Sequence, residues 1–163
     1  MHVLGIDIGG SSLKGAPVDL TTGQLLAERH RIETPQRLAP AEMAAAVVRM
    51  VEHFAWKGAI GCGFPGVVRE GVVTFVGNLH QGFIGTDVAQ LFTEATRCPV
   101  AVINDADAAG LAEVRFGAGR GRHGSVLMLT FGTGVGSGLF LDGRLIPNTE
   151  LGHIPMHGAP AER

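Results

Sequence analysis

The segment DIGGSSLKG, which follows an apolar run at the start of the chain, carries residues suited to holding phosphate. Adjacent glycines let backbone N–H groups approach an oxyanion closely, and nearby hydroxyl and ammonium groups add donors and charge. The candidate phosphate-binding residues of this segment are Gly9, Gly10, Ser11 and Lys14. Asp7, at the carboxyl end of the run, suits a Mg²⁺ ion held indirectly through water. The alternative is a plain β-turn with a solvated lysine, and the segment alone does not decide between them.

A second glycine-rich segment, TFGTGVGSG at 130–138, also follows a strand-like run. It lacks the lysine of a P-loop and does not open a helix, which argues against a P-loop and against a dinucleotide-binding fingerprint. Its candidate phosphate-binding residues are Gly132, Thr133 and Gly134, and the alternative is a glycine-rich hairpin. Two such segments in one chain predict a pair of phosphate loops that face each other across a cleft.

Asn104 and Asp105 follow the apolar run VAVI and open a helix-like segment. In open α/β sheets, ligands bind at this end of the strands. There Asp105 is suited to accept a proton from a hydroxyl nucleophile, and Asn104 to hydrogen-bond neighbouring hydroxyls. The alternative is that they only cap the helix, where Asn and Asp are favoured. Asp107 competes for either role.

Glu150 and His153 are three residues apart, a spacing that places both side chains on one side of a single turn. A carboxylate and an imidazole together suit the vicinal hydroxyls of a sugar. The rival interpretation is a metal pair, but only His157 is nearby as a third ligand. The spacing therefore favours a sugar contact over a metal site.

The elements that must position these residues alternate between strands and helices, which predicts an α/β architecture. Strands are predicted over residues 2–9, 12–19, 59–68, 71–79 and 100–105, and over QLLAERHRIET. Helices are predicted after Pro40, ending at Gly58, and from Thr86 or Asp87, ending at Pro99. A third helix is predicted over ADAAGLAEVRFG, closed by Gly117.

The glycine-rich and basic stretch 117–124 is typical of a linker, and the segment SVLMLTFGTGVGSGLFLDGRLIP after it predicts a second sheet. Helices that would cover this sheet are not expected before the end of the sequence. We therefore expect either that the chain is a fragment or that a partner, such as a second copy in a homodimer, covers the open face.

Composition narrows the class of protein. Hydrophobic residues make up 45% of the chain, enough to form a core, and the formal net charge of −2 gives no attraction to nucleic acid or an anionic membrane. Two cysteines, Cys62 and Cys98, are too few for a disulfide framework. Since no stretch of 18 residues is apolar, we expect a soluble, cytoplasmic protein.

Taken in order, these motifs resemble the ROK family of sugar kinases (repressors, open reading frames and kinases), within the actin-like ATPase superfamily. The resemblance is closer still to the polyphosphate-dependent glucokinases of that family, and it covers essentially the whole chain. The segments that carry it, besides the N-terminal DIGGSSLKG, are FPGVVREGVV, FIGTD, INDADAAGLAEVRFGAG, LTFGTGVGSGLF and LIPNTELGH.

The resemblance implies a ribonuclease-H-like lobe over residues 1–120 and the opening strands of an incomplete second lobe over residues 121–163. It implies phosphoryl transfer to the 6-hydroxyl of glucose from polyphosphate, ATP or both, with Asp105 as the general base. The residues implied to bind the sugar are Asn104, Asp105, Glu150 and His153. The two glycine loops would hold the phosphoryl donor, with Asp7 near Mg²⁺.

Two departures from the family pattern matter. GHIPMHGAPAER contains no cysteine, so the zinc segment of many members is not expected. Family members also continue further, so a fragment that binds glucose without turnover is an alternative, as is a sugar-sensing protein. The latter is disfavoured because the first loop begins by residue 7, which leaves no room for a helix-turn-helix. Donor and hexose identity stay open; Arg120 and Arg122 are either polyphosphate contacts or a solvated basic linker.

Overall fold

A computed structural model describes residues 1–132, 134–156 and 159–160. The strands are β1 His2–Ile8, β2 Ser12–Asp19, β3 His30–Glu33, β4 Ile60–Phe64, β5 Gly66–Arg69, β6 Val72–Val76, β7 Val100–Asn104, β8 Ser125–Phe131, β9 Val135–Leu141, β10 Arg144–Ile146, β11 Pro155–Met156 and β12 Ala159–Pro160. The α-helices are α1 Pro40–His53, α2 Val88–Thr96 and α3 Asp105–Phe116. The α/β class expected from the sequence is confirmed.

The chain divides into two units, unit 1 (Met1–Asp105) and unit 2 (Ala106–Arg163). The boundary expected from the sequence, between a ribonuclease-H-like lobe over residues 1–120 and an incomplete second lobe over residues 121–163, stays a prediction. None of the helices in the described residues is long and apolar enough to cross a membrane.

Unit 1 contains a five-stranded sheet of order β3-β2-β1-β4-β7. The first three strands pair antiparallel, whereas β4 is parallel to both β1 and β7. Strand β1 alternates, with Leu4, Ile6 and Ile8 buried, because successive side chains point to opposite faces of a sheet. Since β1 and β7 run the same way, the loop after Ile8 and the end of β7 lie at the same edge, about 10 Å apart for two strand spacings.

Helices α1 and α2 complete the core of unit 1. Helix α1 begins with Pro40 at its first position. Glu42 stabilises this end of the helix, because its side chain accepts a hydrogen bond from the Ala39 backbone N–H at 2.8 Å. In α2 the N-cap Asp87 accepts from the Gln90 N–H at 2.8 Å. The buried residues of α1 are Met43, Ala44, Ala46, Val47, Met50 and Val51, a helical stripe that agrees with the period predicted from the sequence.

Unit 2 contains a three-stranded antiparallel sheet of order β10-β9-β8. Helix α3 packs on one face of this sheet, where an added Cβ on Gly110 would lie 2.6 Å from the Phe140 ring. One face of this sheet is therefore covered by a helix, and the expectation that a face is left open stays a prediction. The covering helix precedes the sheet in the chain, whereas the prediction considered only the residues after the sheet.

Several elements differ from the predictions: the strand predicted over 59–68 divides at Pro65 into β4 and β5, and the one predicted over 71–79 covers only Val72–Val76. Strand β3 covers only His30–Glu33, because the chain before it turns. Helix α1 ends at His53, short of Gly58, and α2 ends at Thr96, where Arg97 takes a left-handed conformation before Pro99 is reached. Glycine and proline thus mark the neighbourhood of a helix end but not its residue.

Candidate active site

The first glycine loop joins β1 to β2 in unit 1. The Gly9 N–H donates to the Ser12 carbonyl oxygen at 2.9 Å, which closes the loop. Gly10 and Ser11 are exposed, and an added Cβ on Gly10 would meet no atom within 4 Å. The outer side of the loop is therefore open enough for a ligand to reach its backbone.

Asp7 and Lys14 are directly opposite each other across β1 and β2. The Asp7 Oδ2 and Lys14 Nζ atoms are 3.8 Å apart, and the two side chains are 58% and 45% exposed. Lys14 thus lies on a strand beside Asp7 rather than within the loop itself. An exposed carboxylate of this kind fits Mg²⁺, which usually takes one or two carboxylates together with water and substrate phosphates.

Asn104 and Asp105 lie where β7 becomes α3. Asn104 is 6% exposed, and its Nδ2 donates to the Gly66 carbonyl oxygen at 3.2 Å. This bond ties the end of β7 to the start of β5 and gives Asn104 a structural task in addition to any sugar contact. Asp105 is partly buried as the first residue of α3. The predicted strand-to-helix junction is confirmed.

The second glycine loop joins β8 to β9 in unit 2. The Gly132 N–H donates to the Gly134 carbonyl oxygen at 3.0 Å, while Thr133 lies outside the described residues. Two further glycines of the same segment serve packing: an added Cβ on Gly136 would lie 2.9 Å from the Ala106 Cβ, and one on Gly138 would lie 3.3 Å from the Ala106 carbonyl oxygen. The glycine richness of 130–138 therefore has a structural cause as well as a candidate functional one.

Glu150 and His153 lie on one turn of unit 2. The Glu150 Oε2 and His153 Nε2 atoms are 3.5 Å apart, and the side chains are 25% and 37% exposed. The His153 N–H also donates to the Glu150 carbonyl oxygen at 3.0 Å. These distances agree with the prediction, made from their spacing, that the Glu150 and His153 side chains lie on one side of a single turn. Among residues 1–132, 134–156 and 159–160, no three His, Cys, Asp or Glu side chains form a cluster that would hold a metal ion.

Sequence reasoning did not find the residues that support this turn. Asp107 is 1% exposed, and its Oδ2 accepts from the Asn148 N–H at 2.8 Å. Burial raises the pKa of the Asp107 carboxyl, and the hydrogen bond from Asn148 partly offsets this. Ser137 of β9 accepts from the Leu151 N–H at 3.0 Å. The residues of these two hydrogen bonds are 41 and 14 positions apart in the chain, so a search for closely spaced motifs does not find them.

Arg120 and Arg122, the candidate polyphosphate contacts, are both exposed. Arg122 borders a cleft of about 570 Å³ in unit 2, together with Glu113 of α3 and residues of β8. The carboxylate of Glu113 in the same cleft lessens its attraction for a polyanion. This setting favours neither interpretation of the two arginines.

A family model for the ROK family matches residues 3–162. Over 162 residues the chain is 47% identical to the polyphosphate glucokinase of Mycobacterium tuberculosis, an alignment that covers 99% of this chain and 61% of that enzyme.

Solved structures give the same picture. The inorganic polyphosphate/ATP-glucomannokinase from Arthrobacter sp. strain KM matches with a TM-score of 0.94 at 46% identity, over 99% of this chain and 66% of that one. A ROK family glucokinase from Streptomyces griseus, solved with glucose and AMPPNP, matches with a TM-score of 0.80 at 31% identity, over 96% and 51%. The chain has the actin-like ATPase fold of these sugar kinases, as the resemblance implied. It spans about three fifths of the length of the curated relative.

Proposed function

Since this chain belongs to the ROK family, we propose that it acts in phosphoryl transfer from polyphosphate or ATP to the 6-hydroxyl of glucose. The observation that carries the proposal is the 47% identity to a polyphosphate glucokinase over 99% of the chain. The name of the Arthrobacter enzyme adds ATP as a second donor and mannose as a second acceptor to be tested.

On the acceptor side, Asp105 takes the proton of the 6-hydroxyl as that oxygen attacks phosphorus. Its place at the carboxyl end of a strand, where α/β sheets bind ligands, supports this role. Asn104, Glu150 and His153 hydrogen-bond the other hydroxyls. The closeness of the Glu150 and His153 side chains supports their acting on neighbouring hydroxyls.

On the donor side, Gly9, Gly10 and Ser11 offer backbone and hydroxyl donors to phosphate oxygens, and Lys14 adds positive charge near them. Gly132, Thr133 and Gly134 form the second phosphate loop. Asp7 would hold Mg²⁺, which neutralises charge on the transferred group when bound. Phosphoryl transfer needs little covalent chemistry from the protein, so placing the hydroxyl in line and balancing charge account for most of the catalysis. The homodimer and the cytoplasmic location stay predictions.

The test is a coupled glucose-phosphorylation assay with polyphosphate and with ATP, on wild type and on Asp105→Asn. Loss of a general base lowers kcat by about 100-fold or more. Asp142→Asn is the matched control, because Asp142 lies in the β9–β10 turn with a φ of 48°, which Asn tolerates. Glucose-dependent turnover in wild type and the control, lost in Asp105→Asn, supports the proposal.

Two results would contradict parts of it. A kcat of Asp105→Asn within threefold of wild type removes Asp105 as the base. Glucose binding measured by calorimetry without turnover on either donor supports the alternative of a sugar-binding fragment.

A further inference from the structure

Asp107 joins α3 to the turn formed by residues 147–153, all within unit 2. Its carboxylate is 1% exposed and accepts the Asn148 backbone N–H at 2.8 Å. Asp105 precedes it by two residues, and residues two apart on a helix do not share a face. The two carboxylates therefore have different surroundings and different tasks, although the sequence made them competitors for one.

The 147–153 turn adopts a backbone that needs support. Glu150 has a φ of 44°, in the left-handed region that costs most non-glycine residues free energy, while Asn148, with a φ of 57°, is of a type that tolerates this region better. Such conformations persist where surrounding contacts over-determine them. Contacts are therefore needed to hold Glu150 in this conformation.

Contacts on both sides of the turn supply that support. From β9, the Ser137 hydroxyl lies 3.1 Å from the Thr149 hydroxyl and accepts the Leu151 N–H at 3.0 Å. Gly152 packs so closely on the Val135 carbonyl oxygen that no side chain fits there. From α3, the hydrogen bond to Asp107 secures Asn148, two residues before Glu150.

We propose that Asp107 is a positioning residue for hexose binding: by accepting the Asn148 N–H, it holds the 147–153 turn in the conformation that presents Glu150 and His153 to the sugar. This inference rests on the proposed function. Without the acceptor, the turn relaxes toward ordinary φ values, and the 3.5 Å approach of the Glu150 and His153 side chains is lost.

The experiment compares Asp107→Ala with Asp107→Asn in the full chain. Asn keeps an oxygen acceptor of the same shape, whereas Ala removes the carboxylate that accepts from the Asn148 N–H. Phe140→Leu is the matched control, because the Phe140 ring packs against Gly110 of α3 and the residue lies in β9, outside the 147–153 turn. Glucose affinity is measured by calorimetry, KM for glucose and for polyphosphate by the coupled assay, and exchange of the Asn148 and Leu151 amides by NMR.

We expect Asp107→Ala to raise the Kd and KM for glucose about tenfold or more, with KM for polyphosphate changed less than twofold. Amide exchange at Asn148 accelerates in the same variant. Asp107→Asn keeps the glucose Kd within about threefold of wild type, as a conserved acceptor requires. Phe140→Leu lowers the melting temperature but leaves the glucose Kd unchanged.

Several outcomes overturn the inference. If Asp107→Ala leaves the glucose Kd unchanged, the positioning role of Asp107 is wrong, while the proposed function stands. Equal loss of glucose binding in Phe140→Leu reduces Asp107 to a purely structural group. Wild-type protein that binds no hexose overturns the proposed function and this role together, and the exchange data then still report whether Asp107 secures the turn.

Discussion

The carboxylates of this chain show that surroundings, rather than residue type, decide what a side chain does. Asp7 is exposed beside Lys14, which suits an ion-mediated contact with phosphate. Asp105 begins a helix at a strand end, which suits proton transfer to or from a bound hydroxyl. Asp107 is buried and accepts a backbone N–H, which suits holding a turn in place. Three residues of one type thus have three different surroundings, and we propose a different role for each.

Cys62 makes the same point for a thiol. Its side chain is 2% exposed within β4, and burial raises its pKa from the ordinary value of 9.0 to about 12. Because the native pKa lies above the unfolded one, the stability from the neutral thiol is complete below pH 9. It is lost as pH rises from 9 toward 12.

We predict that Cys62→Val loses less stability than wild type on going from pH 8 to pH 10.5. The difference should approach 2 kcal/mol, about 1.4 kcal/mol for each pH unit above the unfolded pKa. Urea unfolding followed by circular dichroism at several pH values measures it. Parallel stability curves for the two proteins would show that the native thiol titrates normally.

At the scale of elements, close backbone approach requires glycine at junctions. An added Cβ on Gly66 at the start of β5 would lie 2.6 Å from the Phe75 carbonyl oxygen of β6. The same glycine accepts the side-chain hydrogen bond from Asn104. The β5–β6 hairpin is thus joined to the end of β7 through a site where only glycine fits.

We predict that Gly66→Ala destabilises the protein by about 2 kcal/mol, because overpacking against a backbone atom cannot relax through a side chain. The control is Gly77→Ala, since an added Cβ there would meet nothing within 4 Å. Chemical denaturation of both variants tests this. If Gly66→Ala were as stable as Gly77→Ala, the β5–β6 hairpin would be able to shift and accommodate the added methyl group.

At the scale of the whole molecule, the face of the unit 2 sheet that does not meet α3 is apolar. Leu127, Leu129 and Phe131 of β8 are 50%, 43% and 80% exposed, on the side opposite Val126, Met128 and Thr130. Contiguous apolar surface of this kind is uncommon on monomers and promotes association. This face is available as the interface of the predicted homodimer.

We predict that the double variant Leu127→Lys and Leu129→Lys binds less of the dye ANS and sediments as a smaller species at high protein concentration. The charges interrupt the apolar face while leaving the α3-facing residues of β8 intact. Ser125→Lys is the control, because it adds charge to the same strand at an exposed polar residue. Unchanged dye binding in the double variant would show that the face is covered in solution.

Much of this protein follows from its sequence by itself. The alternation in β1, the stripe of α1 and the strand-to-helix junction at Asn104 are all predictable, because they rest on local periodicity and on capping preferences that act over a few residues. The proximity of the Glu150 and His153 side chains is predictable from their spacing for the same reason. The order of the motifs also indicates the family.

Long-range tertiary contacts determine which side chains support these residues. Asp107 and Asn148 are 41 residues apart, and Asn104 and Gly66 are 38 apart, so no local pattern pairs them. The covering of the unit 2 sheet by a helix that precedes it escapes sequence prediction for the same reason. Local preference determines where elements form, whereas long-range packing and the need to satisfy buried polar groups determine which residues hold the candidate site in shape.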